Sequence, residues 1–586
     1  MPPTPTRRDS EPRPPSPPAP AGAAPASGHR KLLDQLAADG ITRIFGNPGS
    51  SEEGLLAELS RLGTIEYILG LHESALVLIA NGYALATGKP TVVQLHCSVG
   101  LGNALGSLYH ASRMQRAPLV VIAGEAGVAY DALEAHMSLD LVTFARPVTK
   151  YATRATNPDS VLRLLRRCIK IACTPPFGPT FLAVPQDILD QHNDEPVLPT
   201  VIPDTRVSPH PDAIADAAHL LAPAERPVII MGDGVAHAQA QPELAQVADT
   251  LGAAVWGAMS SEVNIAWTHP LYRGLTGHMF GSQSRHTVAD ADAVLIVGTY
   301  VFPDVFPQLD NPFRPDAKIV HIDLNTYNMA KNYPITLGLL GDPKPTLALL
   351  ADELADQMTV DQKAAARQRI AHITEVKDGE HAAQLQADVA DRGLVPLHMS
   401  SFAMELARQL PDDAIIFDEA LTNSAALGRY LPATTPGHLY QTPGGTLGVG
   451  LPGAVGVKLA HPDRTVVGLA GDGGAIYTLP ALWTAAHYHI GAKFVVCNNR
   501  SYRILKDNLV VYWRDHNAHN GDFPAFFDIR DPDVDYVALA EGLGVPGTRV
   551  TNPGQIADAI TAMLAHSGPF LIDLVLEDTV SSIAPA

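Results

Sequence analysis

Several things are scarce in this chain, and each scarcity removes a class of protein. Four cysteines stand among 586 residues, Cys97, Cys168, Cys173 and Cys497. None forms a close CxxC pair, and so few cannot staple a fold by disulfides. Cys97 and Cys497 lie beside candidate strands and read as buried structural thiols, a usage that suits a reducing, cytoplasmic setting. No uninterrupted apolar run reaches the ~18 residues a membrane helix needs, and the N-terminus has no apolar core of the kind a secretory signal carries. Positive charge is in deficit: 61 acidic residues against 41 Lys and Arg leave a net charge of −20. That argues against nucleic acid or an anionic membrane as partner, because both reward clustered cations.

What remains is a long chain, too large for one hydrophobic core, and ~150 residues per domain suggests three or four units. Nine of the first twenty residues are proline, so residues 1–28 read as a disordered tail. From 29 to 190 the pattern alternates: a helix in KLLDQLAADG, strands TRIFG and EYILG, a helix over Glu73–Thr87, strand TVVQLH, a helix from about Gly102, and strand PLVVIAG. Residues 191–206 are polar and Pro-rich and read as a linker. A second alternating block fills 207–355, a charged helical segment 356–395, and a third block 396–578, with a short tail at 579–586. Strands alternating with helices predict an α/β protein of three doubly wound parallel-sheet domains.

The third block carries the chemistry. The run RTVVGLAGDGGAIYTLPALWTAAHYHIGAKFVVCNN reads as strand, Gly turn, helix, strand. Asp472 ends the first strand and Asn498–Asn499 the next, so both fall at the carboxyl edge of a parallel sheet, where open α/β sheets bind ligands. A hard cation such as Mg²⁺ takes oxygen ligands of this kind. Gly471, Gly473 and Gly474 allow close backbone approach to a phosphate, and the following helix offers free N–H groups to an anion. A lone GDG would be an ordinary capped turn; the double Asn 27 residues on makes the pattern specific.

The chain here resembles the thiamine-diphosphate enzyme superfamily. The resemblance implies thiamine diphosphate and Mg²⁺ as cofactors, with the metal held by Asp472, Asn499 and the backbone carbonyl of Ser501. From TPGGTLGVGLPGAVG it implies that Gly445 contacts the aminopyrimidine and that Leu447 wedges the cofactor into a bent shape. Thr422 and Asn423, in DEALTNSAAL, read either as a helix cap or as diphosphate contacts. The family's activating glutamate maps to Glu73, on a helix that is apolar nearly all round. The three blocks become pyrimidine-binding, central Rossmann-like and diphosphate-binding domains. The active site then lies between the first block of one subunit and the third of another, in a homodimer or homotetramer.

IFGNPGSSEEGLLAEL and QLHCSVGLGNALGSL resemble the matching segments of benzoylformate decarboxylases. That implies Ser50 and His96 in the substrate pocket, Ser50 as a hydrogen-bond donor and His96 as a proton carrier. Ser50 with Glu53 also reads as a helix capping box. Departures are visible. The relatives' second pocket histidine, on the middle block, aligns with Val305 beside Asp304. Positions apolar in those relatives carry His136, Gln441 and Asn508. Arg500 and Arg503, beside the metal loop, read as surface or phosphate-facing groups or as contacts for an anionic substrate. The implied function is a 2-oxo-acid decarboxylase or carboligase working through the cofactor's C2 carbanion on a small 2-oxo acid or aldehyde. Acetolactate-synthase-like ligation, or aldehyde lyase and carboligase activity without decarboxylation, is the alternative; a non-catalytic cofactor-binding protein is a third. IIMGDGVAH is not GxGxxG, so no dinucleotide site is inferred.

Overall fold

The computed structural model describes residues 26–516 and 521–580. Of the tail read at 1–28, residues 1–25 lie outside the described part, as do the last six residues of the chain, but Ser27 caps a helix that already opens at Gly28.

Three six-stranded sheets succeed one another along the chain, parallel throughout. The first contains β1 (Arg43–Gly46), β2 (Glu66–Leu69), β3 (Thr91–His96), β4 (Leu119–Glu125), β5 (Tyr151–Arg154) and β6 (Thr180–Pro185), in the order β2-β1-β3-β4-β6-β5. The second contains β7 (Pro227–Met231), β8 (Ala254–Gly257), β9 (Tyr272–Leu275), β10 (Ala293–Val297), β11 (Lys318–Asp323) and β12 (Leu337–Leu340), ordered β12-β11-β10-β7-β8-β9. The third contains β13 (Ile415–Glu419), β14 (Leu439–Gln441), β15 (Val466–Gly471), β16 (Lys493–Asn498), β17 (Gly547–Val550) and β18 (Phe570–Val575), ordered β14-β13-β15-β16-β18-β17. Counted from its own first strand, the third sheet repeats the order of the first, a duplication the amino-acid pattern does not reveal. Central strands such as β4, β16 and β18 are buried along nearly their whole length, as sheets covered by helices on both faces require.

Reversal of winding direction leaves a crevice at the carboxyl ends of the two strands where it occurs. In the first sheet these are β1 and β3, and in the third β13 and β15.

The first and third blocks share one hydrophobic core. Its seam is the helix Glu73–Thr87 against the helix Gly450–Ala460. The backbones touch there: a Cβ on Gly456 would lie 2.0 Å from the Ile79 carbonyl oxygen, and one on Gly82 would lie 2.3 Å from that of Gly453. The helix after β3 starts earlier than the sequence pattern suggests, at Cys97 rather than near Gly102. Glycines 100 and 102, poor helix formers by propensity, lie inside it. Gly100 runs close under the Glu73 carboxylate, 3.4 Å from where a Cβ would stand, so packing overrides propensity. Residues 193–200 hold to the first block, with Lys31 donating to the Glu195 carbonyl at 2.8 Å and Thr200 N–H to Asp39 at 2.6 Å. Within 356–395 runs one 32-residue helix, Val360–Asp391, opened by a Thr359–Gln362 capping box.

Candidate functional site

The crevice of the first sheet is built by the loop after β1 and the end of β3. Asn47, first residue past β1, donates to the Glu73 carboxylate at 3.0 Å, and Asn103 donates to its other oxygen at 3.0 Å. Glu73 is 7% exposed and opens its helix, so two amides and a helix N-terminus stabilise the charge. His96 ends β3 and shares a cavity of about 430 Å³ with Ser50, Cys97 and His136. Ser50 is exposed at its mouth. The neighbour Ser51, buried, is the hydroxyl that reaches His96, 3.2 Å from Nδ1. Glu52, 3% exposed, accepts from His96 Nδ1 at 3.0 Å. The Ser50–Glu53 capping box does not form: the helix starts at Glu53, which points to solvent, and the cap position is Glu52. With two glutamates in succession, the sequence pattern picked the outward one.

Glu125, Asp131, Asp187 and Asp190 also line this cavity, and among the described residues no Lys or Arg does. Arg154 is close but committed, at 2.5 Å to Glu125 and 2.7 and 2.8 Å to Asp131. Asp187 accepts the Val128 and Ala129 N–H groups.

The crevice of the third sheet gathers Thr422, Asn423, Leu447, Gly471, Asp472, Gly473, Gly474, Asn499, Ser501 and Arg503 around one cavity. Asp472 and Asn499 therefore face the same space, from the ends of β15 and β16. The Asp472 oxygens accept from Gly473 N–H at 2.7 Å and Arg500 N–H at 2.5 Å. Burial pushes its carboxyl up to about 6, against the pull of these N–H groups. Asn499 accepts from Ser501 N–H at 3.0 Å, whereas Asn498 is structural, donating to buried Asp573 at 2.9 Å. In front of Gly471 a Cβ would meet nothing within 4 Å; at Gly473 it would strike the Tyr502 ring at 2.5 Å, so that glycine is needed for packing.

Asn423 stands at the cap position of the helix that follows, but its side chain makes no capping hydrogen bond there. Thr422 and Asn423 both accept from Arg503, Thr422 at 2.6 and 2.9 Å and Asn423 at 2.7 Å. Arg503 is buried and also paired with Glu577 at 2.9 Å; Arg500 faces Asp533 at 3.4 Å. The sequence could not show Arg503's reach, which spans about eighty residues of chain.

Gly445 has φ +98° and lies against Met114 and His110 of the first block. Gln441 does not line either cavity: it is buried, donating to the Ser260 carbonyl at 2.7 Å and accepting at its own carbonyl from Gln115. Asp304 accepts from Ser284 at 2.6 Å, and Val305 is exposed.

No helix among the described residues is long and apolar enough to cross a membrane. Comparison with known proteins gives one consistent result. Three models of thiamine pyrophosphate enzymes match in succession: the N-terminal TPP binding domain at 26–144, the central domain at 214–350 and the C-terminal TPP binding domain at 422–574. The chain is 30% identical to the benzoylformate decarboxylase of Pseudomonas aeruginosa over 93% of its own length and 98% of that protein's. It is 26% identical to the acetolactate synthase isozyme 3 large subunit of Escherichia coli, over 91% of each. Among solved structures it resembles a thiamine diphosphate-dependent 4-hydroxybenzoylformate decarboxylase of Rhodococcus jostii RHA1. The TM-score is 0.81 at 29% identity, covering 95% of this chain and all of that one.

Proposed function

Because the chain belongs to the thiamine pyrophosphate enzyme family, and so is an enzyme that cleaves or forms carbon–carbon bonds, we propose that it is a decarboxylase or carboligase acting on a small 2-oxo acid with an uncharged body. The observation that carries this reading is the shared cavity of Asp472, Asn499 and Ser501 at one sheet edge. These residues suit thiamine diphosphate with Mg²⁺: a carboxylate, an amide oxygen and a carbonyl make a hard-oxygen donor set, and the space before Gly471 is open for a phosphate. Asp472, Asn499 and Ser501 would hold the metal. Thr422, Asn423 and Gly471 to Gly474 would border the diphosphate, with Arg503 bracing the first two. Gly445 and Leu447 would face the pyrimidine side. When bound, the cofactor supplies a nucleophilic carbon and an electron sink next to a carbonyl.

Glu73 is the activating acid in this reading, its position fixed by Asn47 and Asn103. His96 moves protons at the substrate oxygen, and Ser50, at the mouth of its cavity, donates to the substrate. Four carboxylates line that cavity, with no free cation among the described residues for a second anionic group, so a dicarboxylate substrate is disfavoured and hydroxyl-bearing bodies are favoured.

Within one chain the two half-sites share no lining residue among the described residues. Exposed apolar side chains accompany both, Tyr130 and Met137 at the first, Ile476 and Tyr477 next to the second. Two copies of the chain joined at these surfaces would complete the site, which supports a homodimer as the minimal enzyme.

The test is incubation of the purified protein with thiamine diphosphate, Mg²⁺ and a panel of 2-oxo acids and aldehydes. Cofactor-dependent CO₂ release from monoanionic 2-oxo acids is expected; no turnover of any panel member would defeat the proposal. Exposed Val305 where relatives place a second histidine favours a second reading, carboligation or lyase chemistry without decarboxylation. Aldehyde coupling with no CO₂ released from any 2-oxo acid would select it.

A further inference from the structure

We propose that Glu52 is the positioning residue of the proton-transfer apparatus, holding His96 in the Nδ1–H tautomer so that an unprotonated Nε2 faces the cavity. The inference rests on the role given to His96 above. An imidazole has two nitrogens, and what one of them donates to decides which form the other takes. His96 Nδ1 lies 3.0 Å from Glu52 Oε2. An ionised carboxylate only accepts, so the proton between them belongs to Nδ1. Nε2 has no partner among the described residues, and the ring lines the cavity.

Glu52 is itself fixed. Gly49 N–H donates to Oε2 at 2.8 Å, and the Ser51 hydroxyl donates to Oε1 at 2.6 Å. Having given up its proton, that hydroxyl can only accept from Cys97 Sγ–H, 3.1 Å away. The surrounding backbone is shaped to admit the pair. A Cβ on Gly124, in β4, would lie 2.0 Å from Glu52 Oε1, and one on Gly49 would lie 2.2 Å from His96 Nδ1. A carboxylate 3% exposed is costly to bury with no full cation beside it. A histidine that becomes cationic during each proton transfer is the partner that makes the arrangement useful, by the logic of a carboxylate behind a general base.

The experiment uses the full-length holoenzyme and three variants, Glu52→Gln, Glu52→Asp and Gly124→Ala. With Glu52→Gln, kcat should fall about 100-fold, the lower end of what an acid–base group contributes, while KM and the dissociation constant of thiamine diphosphate stay within about threefold. Glu52→Asp should recover part of kcat, and Gly124→Ala should mimic Glu52→Gln by displacing the carboxylate. Unchanged kcat in Glu52→Gln would overturn the inference.

A second readout does not depend on turnover. Nitrogen-15 NMR of histidine-labelled protein, assigned with His96→Ala, should show His96 protonated at Nδ1 in the wild type and losing that preference in Glu52→Gln. Protonation at Nε2 in the wild type overturns the inference even if the enzyme is active; the expected tautomer sustains it even if the substrate panel fails. The ligand atoms of Glu52, His96 and Cys97 lie within 4.8 Å of one another. Stoichiometric zinc in the purified protein, lost in Cys97→Ser, would mean that a metal and not a proton occupies Nδ1, and would also overturn it.

Discussion

Glu73 and Asp472 are both nearly closed to solvent, and neither has a cation beside it among the described residues. A fold under selection for stability alone has little reason to keep such groups, because an unpaired buried carboxylate costs several kcal/mol. Their environments differ in a way that assigns different work. Glu73 is satisfied at both oxygens by side-chain amides; Asp472 takes backbone N–H groups and keeps lone pairs directed at an open cavity. Glu73→Gln should therefore lower kcat by at least ~100-fold while leaving the melting curve and Mg²⁺-dependent cofactor binding nearly unchanged, as isothermal titration would show. Asp472→Asn should instead abolish the Mg²⁺ dependence of cofactor binding and weaken it by more than tenfold, since one of the hard anionic ligands is gone. Asp472 could be read from the strand end and glycine turn that mark it, and Glu73 from its nearly all-apolar helix together with the family resemblance. Glu52 could not. In GSSEEG the two glutamates are equivalent until the first turn of the helix decides which one points inward, and the partner that makes Glu52 matter is 44 residues away.

At the scale of elements, strand alternation sufficed to anticipate three parallel sheets, and the helix Glu73–Thr87 begins and ends where its apolar run does. The start of the helix at Cys97 was hidden because its glycines argue against helix unless one knows that Glu73 lies over Gly100. The same close approach governs the seam between the first and third blocks. Gly456→Ala places a methyl on the Ile79 carbonyl and should destabilise the fold by ~1–3 kcal/mol, seen as a lower denaturation midpoint, while Gly379→Ala, where a Cβ meets nothing, should not. His110 sits at this junction too. Wholly buried under the Gly444–Gly445 turn, it is pushed down to about 4, mainly by burial, with Gln115 and the Gly444 backbone opposing. A histidine depressed in the folded state binds its proton first in the unfolded one. Stability should thus be at its full value above pH 6.5 and be lost progressively as pH falls towards 4, by up to roughly 3 kcal/mol. Urea titrations at pH 7 and pH 5 should show that loss in the wild type and less of it in His110→Leu.

For the whole molecule, the decisive question is where one chain's half-sites find their complements. Repetition of strand order between the first and third sheets gives two crevices of the same kind, one lined by Ser50 and His96 and the other by Asp472 and Asn499. Such a repeat has a natural closed solution: two copies related by a twofold axis, each crevice of one facing the unlike crevice of the other, so that both sites close together. Exposed Tyr130, Met137, Ile476 and Tyr477 would become the buried contacts. A mixing experiment separates this from a site made within one chain. Glu73→Gln and Asp472→Asn each leave every site of their own homodimer defective. If sites form across copies, a mixed dimer holds one site with both defects and one with neither. Random reassortment makes half the dimers mixed, so activity should return to about one quarter of wild type, two inactive proteins becoming active on unfolding and refolding together. A site built within a single chain would give no recovery at any mixing ratio, because each chain would carry its own defect into its own site.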